Sequence, residues 1–244
     1  MGIRALVPAD GITRLGTWIV NFYAVEDGGR WTLLDAGIPG HWPQLEQRGI
    51  GPDAVEAVVL THAHADHVGL AERLRAHGAR VYVHADDENL ATTAKPFGKN
   101  EKATLPYLRH PMAWRLFAHL MRGGAAKPTK IAEVTTFGDG DVLDVPGHPR
   151  VIHTPGHTNG HCVIHLEDQG ALLVGDLLCT LNPLTGKRGP QLLPGALNLS
   201  SAHMLDSLTK IEKLDAQTVH FGHGEPWTDG VSSAVERARS TGPT

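Results

Sequence analysis

Ala54-Val55-Glu56-Ala57-Val58-Val59-Leu60-Thr61-His62-Ala63-His64-Ala65-Asp66-His67 runs from a short apolar stretch straight into four metal-type side chains. Ala54 to Leu60 has the near-continuous apolar character of a strand covered on both faces, as in an α/β layer. His62 and His64 would not converge on one point along an extended backbone. They do so once the strand has ended and the chain turns, which puts Asp66 and His67 just before or at the start of the next helix. Hiding four such groups together is costly without a metal ion or a dense hydrogen-bond network. A solvated loop that happens to hold three histidines is the bland alternative, and this spacing makes it the weaker one.

On the N-terminal side, Thr17 to Val25 reads as a strand, Asp27-Gly28-Gly29 as a turn and Arg30 to Leu34 as the returning strand. That hairpin ends in Leu33-Leu34-Asp35-Ala36-Gly37, and a short helix is predicted around Trp42 to Gln47. On the C-terminal side, Gly69 to His77 carries helix formers and stops at Gly78, and Arg80 to Val83 is another strand. Further strands are expected at 134–137, 142–145, 151–153, 162–166, 171–174 and 218–221. Helices are expected at 201–214, capped by Ser200 or Ser201, and at 231–239, with a frayed end at 240–244. Alternating strands and helices argue for an α/β architecture, and the absence of repeats or linkers for one domain over 1–244.

Three of the later strands end in a Gly-rich turn bearing one metal-type residue. They are Thr154-Pro155-Gly156-His157-Thr158, Val174-Gly175-Asp176 and Phe221-Gly222-His223-Gly224. Glycine lets backbones pack closely there, and loops sharing one rim of a sheet are where α/β enzymes build sites. Each motif is weak alone; with the 62–67 cluster they are strong. The chain has 16 histidines, of which this pattern uses five, so the surplus itself proves nothing.

Residues 86–130 break the rhythm. Leu105, Leu108, Met112, Leu116, Leu120 and Met121 recur at helical spacing, with Tyr107, Trp114 and Phe117 among them. From Lys95 to Lys130 there are eight Lys and Arg against one acid, whereas the rest of the chain has 14 basic and 25 acidic residues. Such a helical insertion reads as a lid over a cleft, a homodimer contact or a membrane-surface element, or as a packed pair with solvated charges.

At 41% hydrophobic and 20% charged residues the composition is that of a globular protein, which argues against wholesale disorder. No apolar run reaches transmembrane length, and Met1 to Asp10 shows no leader pattern, so a cytoplasmic protein is expected. The two cysteines, Cys162 and Cys179, are no disulfide scaffold and fall outside the ligand motifs, which excludes a structural zinc site made of four thiolates.

The order Thr61-His62-Ala63-His64-Ala65-Asp66-His67, then His157, Asp176 and His223, resembles the metallo-β-lactamase superfamily, in particular its glyoxalase II-like hydrolase branch. The resemblance spans about Gly16 to Trp227 and implies a four-layer αβ/βα sandwich, with 86–130 as a helical insertion. It implies two divalent metal ions, zinc first and iron or manganese as alternatives. His62, His64 and His157 would hold one ion and Asp66, His67 and His223 the other, with Asp176 bridging and Asp35 supporting from behind. The activity implied is hydrolysis by a metal-bridging hydroxide, with Asp66 as the proton acceptor.

Departures from the family narrow the substrate. Asp176 stands where class B β-lactamases lack a bridging aspartate, and His64 where the flavodiiron branch has glutamate. Few residues follow Trp227, too few for the helical extension of glyoxalase II. A pI of about 6.4 speaks against nucleic acid as partner. The expected substrate is therefore a small carboxylic ester, lactone or thioester. A mononuclear-iron persulfide dioxygenase-like oxidoreductase and a phosphodiesterase are the alternatives.

Overall fold

The structure, a computed structural model, describes residues 11–95, 99–127 and 129–242. Met1 to Asp10, where a leader would lie, and the last two residues of the expected frayed end fall outside that range.

The first sheet contains β1 (Ile12–Gly16), β2 (Asn21–Asp27), β3 (Arg30–Leu34), β4 (Val55–Val59), β5 (Arg80–His84) and β6 (Thr135–Phe137), in that order across the sheet. β1, β2 and β3 are antiparallel neighbours, while β3 to β6 run parallel. The second sheet has the order β12 (Thr218–His220), β9 (Ala171–Leu173), β8 (Cys162–Leu166) and β7 (Arg150–His153). Only its β12–β9 pair is parallel. β10 (Cys179–Leu181) and β11 (Arg188–Gln191) form a separate antiparallel ribbon.

Alternate residues on each strand serve different layers, because side chains on a strand point to opposite faces. In β2, Tyr23 and Val25 face the second sheet, whereas Phe22 and Ala24 face outward. In β9, Ala171 and Leu173 meet that central layer and Leu172 faces away from it. Both faces are thus buried, which is why β4 and β8 read as continuous apolar runs.

Helices cover the two outer faces. Trp42 and Leu45 of α1 (Trp42–Gln47), Leu74 of α2 (Ala71–Ala76) and Ala91 of α3 (Glu88–Thr93) pack on the first sheet. Met204, Leu208 and Ile211 of α5 (Ser201–Ile211) and Val231 and Val235 of α6 (Val231–Thr241) pack on the second. The result is the expected αβ/βα stack of four layers. Ser200 caps α5 by accepting the amide N–H of His203 at 3.2 Å.

Several boundaries differ from expectation. Thr17 to Val20 is a turn closed by Thr17 N–H to Val20 C=O at 2.7 Å, and the strand before it, β1, has too mixed a pattern to stand out. Val142 makes a single bridge to Arg150, since Pro146 and Gly147 turn the chain before a ladder can grow. α6 continues to Thr241, through the start of the expected frayed end. In 86–130 the main helix is α4 (Pro111–Arg122), preceded by a 3-10 turn at Leu105–Arg109.

Candidate functional site

The carboxyl ends of β3, β4 and β5 lie on one rim, because these strands are parallel. In the second sheet β7, β9 and β12 likewise share a direction. The loops leaving β3, β4, β7, β9 and β12 carry Asp35, the 62–67 cluster, His157, Asp176 and His223 respectively. Their side chains meet in one cleft.

The structure brings all seven predicted site residues together. His62 Nε2, His64 Nδ1 and His157 Nε2 form one group, with His157 Nε2 2.8 Å from His64 Nδ1 and 3.2 Å from His62 Nε2. Asp66, His67 and His223 form the second; Asp66 Oδ2 lies 3.6 Å from His223 Nε2 and 4.0 Å from His67 Nε2. Asp176 stands between them. Its Oδ2 is 3.4 Å from His157 Nε2 and 3.3 Å from His223 Nε2, and its Oδ1 is 3.5 Å from His67 Nε2. His62, His67, His157, Asp176 and His223 are buried, whereas His64 and Asp66 are partly open to solvent.

The outer nitrogens fix which way the imidazoles present their lone pairs. His67 Nδ1 donates to Asp35 Oδ2 at 2.8 Å, and His223 Nδ1 donates to the Ile19 carbonyl at 2.5 Å. Asn198 spends its amide N–H on the Leu193 carbonyl, so its Oδ1 accepts from His157 Nδ1 at 3.1 Å. The Thr61 hydroxyl donates to Asp35, which leaves its oxygen to accept from His62 Nδ1 at 3.0 Å. Each of these four rings therefore turns its Nδ1–H outward to an acceptor and aims Nε2 into the cleft, the nitrogen a metal ion would take.

This arrangement fits divalent metal. Among the described residues, His67 Nε2 and Asp176 Oδ1 are buried without a hydrogen-bond partner, and such orphans are rare unless something else satisfies them. Imidazole and carboxylate without thiolate suit zinc, iron or manganese. Both thiols are buried, and burial pushes them upward to the protonated form. Burial likewise holds His62, His64 and His157 below the ordinary imidazole value, in the neutral form that ligates. For His67 and His223 burial also lowers, but it is outweighed by the carboxylates: Asp35, Asp176 and Asp66 around His67, and Asp176 and Asp66 around His223.

Other residues that hold the loops were not anticipated. Asp87 accepts Ala63 N–H and the Thr158 hydroxyl on Oδ2, and Gly160 N–H on Oδ1, so one buried carboxylate joins the His62 loop to the His157 loop. His161 accepts the amide N–H of Asp176 at 3.1 Å through Nε2 and faces the Thr154 hydroxyl with Nδ1. Burial brings His161 down to about 3, so it is neutral at ordinary pH. Asn21 Nδ2 donates to Phe221 and Gly224 carbonyls, and the Tyr23 hydroxyl donates to Phe221, which ties the His223 loop to β2. A Cβ at Gly222 would collide with Asp176 Oδ1, so only glycine fits beside the central carboxylate. Asp35 adopts φ +59°, a left-handed conformation that aspartate tolerates better than most residues. Asp87 lies inside 86–130, whose first turns belong to the scaffold.

Another histidine cluster is committed to packing. His84 and His153 stack at 4.0 Å with planes 8° apart. The stack joins the ends of β5 and β7, while His84 Nδ1 accepts Asp86 N–H and His153 Nε2 donates to the Asn159 carbonyl.

The cleft lined by His64, Asp66, His157, Asp176 and His223 has a volume of about 270 Å³. Leu116 and Leu120 of α4, with Pro183 and Leu197, give it an apolar wall opposite His64, Asp66 and Asp176.

Known proteins share this organisation. A probable metallo-hydrolase of Bacillus subtilis (strain 168), YqjP, is 29% identical over 226 residues, covering 86% of this chain and 68% of its own. The metallo-beta-lactamase family protein TTHA1429 from Thermus thermophilus superposes with a TM-score of 0.67 at 27% identity, covering 95% of this chain and 79% of that one. TTHA1623, solved in a di-iron-bound form, gives a TM-score of 0.60 at 28% identity over 91% of this chain and 96% of its own. The sequence profile described as "Metallo-beta-lactamase superfamily" matches residues 15–223. The chain belongs to the metallo-β-lactamase superfamily.

Proposed function

We propose that this protein is a dinuclear metal-dependent hydrolase of a small carboxylic ester, lactone or thioester, of the glyoxalase II-like kind. The observation that carries this reading is Asp176, whose two oxygens face both ligand groups across a buried cleft. His62, His64 and His157 would hold one ion and Asp66, His67 and His223 the other, with zinc the first expectation. Two such ions supply a water acidified to near neutrality and a Lewis acid for the carbonyl oxygen.

The chain's own residues do the rest. Thr61, Asp35, Asn198 and the Ile19 carbonyl orient four of the rings, so each aims its Nε2 into the cleft. Asp66 reaches the open side of the cleft, and its carboxylate is placed to take the proton released by the attacking water. Leu116, Leu120 and Leu197 exclude water from one wall and offer contact to an apolar acyl portion.

The test is a panel of lactones, thioesters, carboxylic esters and phosphodiesters run on metal-replete protein, beside metal analysis of protein purified without added metal. Near two zinc-type ions per chain with turnover of a carbonyl substrate is the expected result. One iron per chain with oxygen consumption would overturn it in favour of a dioxygenase, and turnover confined to phosphodiesters would replace the carbonyl substrate.

A further inference from the structure

Helix α4 has two apolar faces. Met112 and Ala113 pack inside, and Leu116 and Leu120 face the cleft. Trp114, Phe117 and Met121 lie on the other side, spaced for one stripe along the helix. Trp114 and Phe117 are 55% and 57% exposed, and Leu105, in the turn before the helix, is 74% exposed. The Trp114 indole N–H is spent on the Leu108 carbonyl at 2.8 Å, so the ring presents hydrocarbon to its surroundings. An amphipathic helix normally has one apolar face, and a second one outward calls for a partner.

The charge around this stripe says which partner. From Lys102 to Ala132 the chain has no acidic residue. Arg109, Arg115 and Arg122 are exposed, Arg115 and Arg122 on the flank of α4 that adjoins His41 and Gln44, and Lys127 and Lys130 follow along the chain. Among the described residues, the Lys and Arg ion pairs all lie elsewhere in the molecule. The turn carrying exposed Lys187 and Arg188 comes against the start of α4, where a Cβ at Gly186 would contact Met112 at 3.5 Å. A second copy docked by the same face would set these cations against themselves. An anionic surface would neutralise them.

We propose that α4 and the turn before it form a docking surface for anionic lipid bilayers, with Trp114, Phe117, Met121 and Leu105 entering the headgroup boundary and the flanking arginines meeting lipid phosphates. Apolar insertion combined with a basic patch is the two-signal arrangement that holds a protein on a membrane. The helix lies on the surface: no helix among the described residues is long and apolar enough to cross. The acid-rich remainder of the chain is repelled by the same lipids, which orients the molecule with α4 down.

Sedimentation of the full chain with phosphatidylcholine vesicles, with and without phosphatidylglycerol, tests this. Binding is expected with phosphatidylglycerol and not without, and weakening as salt rises. Arg115→Gln/Arg122→Gln should bind about thirtyfold more weakly, at about 1 kcal/mol per cation near the surface. Trp114→Ser/Phe117→Ser should lose at least as much. All four side chains are exposed, and the melting temperature and metal content of each variant check the fold. Should the aromatic variant unfold, the arginine variant decides alone. Equal binding to both vesicle types, or binding to neither, overturns the proposal. So does a solution dimer in ultracentrifugation that Phe117→Ser dissolves, since that assigns the face to a second copy.

Discussion

The two halves of the cleft are built differently. Around His62, His64 and His157 the outer partners are neutral: the Thr61 hydroxyl behind His62 and the Asn198 amide behind His157. Around Asp66, His67 and His223 a carboxylate is among the donors, and a second one, Asp35, stands behind His67. Burial keeps the first set of imidazoles neutral, whereas in the second the carboxylates outweigh burial and draw protons onto His67 and His223. One rim thus holds a pocket of neutral imidazoles beside a carboxylate-rich one, with Asp176 facing both. A dication should therefore be held more firmly, and with more preference for hard oxygen-seeking metals, on the Asp66 side.

The largest test of that comparison removes what the two sides share. Asp176→Ala would leave the two ions of the proposed site without the central carboxylate. It should lose at least one metal and lower turnover more than about a hundredfold, beyond the usual loss for a supporting group. Metal analysis and initial rates read both. Normal metal content and turnover would mean that Asp176 joins nothing.

A smaller change should separate the sides. Asp35→Asn keeps a residue that tolerates the +59° φ but removes the charge behind His67. Metal affinity on the Asp66 side should fall by about 10- to 100-fold, and on the His62 side by less, since Asp35 reaches that side only through the Thr61 hydroxyl. Titration with a chelator should show release splitting into two steps. A single step shifted as a whole would erase the distinction between the pockets.

What the sequence made legible follows from how locally each feature is encoded. The strand into His62–His67 is contiguous, so its apolar run and its donor spacing are visible together. His157, Asp176 and His223 each sit in a Gly-rich turn after a recognisable strand. Asp87, His161, Asn198, Asn21 and Tyr23 were invisible because their partners lie far away in sequence: Asp87 with Gly160, Asn21 with Phe221. Nothing in Asp86-Asp87 distinguishes a buried clamp from a solvated pair. The fold shows the same division. Strands buried on both faces stood out as apolar runs, whereas β1 and the β10–β11 ribbon, broken by Asn182-Pro183 and Gly186, did not.

Asn198→Ala probes the neutral side, where less is at stake. His157 Nδ1 loses an uncharged acceptor, so metal affinity on the His62 side should fall by about tenfold, the lower end for a supporting partner. The Leu193 and Ser201 contacts are lost too, at about 1 kcal/mol of stability each. Chelator titration set against the Asp35→Asn result gives the ranking. A loss larger than that of Asp35→Asn would reverse the order of the two pockets.

The smallest effect concerns Asp176 itself, through His161, and shows in metal-stripped protein as a dependence on pH. Burial holds His161 near 3, while the unfolded chain binds that proton near 6.5. Between these values the unfolded chain carries the extra proton, so His161's contribution is complete above about 6.5 and falls as pH drops toward 3. His161→Gln leaves an amide oxygen to accept the Asp176 N–H and removes the titrating ring. Its melting temperature should therefore fall less between pH 7 and pH 5 than that of the wild type, even if it starts lower. The His62 and His157 rings, also held neutral by burial, remain in the variant, so its slope should shrink without vanishing. Identical slopes would mean that His161 takes up its proton in the folded state as readily as in the unfolded one, and that it does not hold the central carboxylate's backbone as a fixed neutral acceptor.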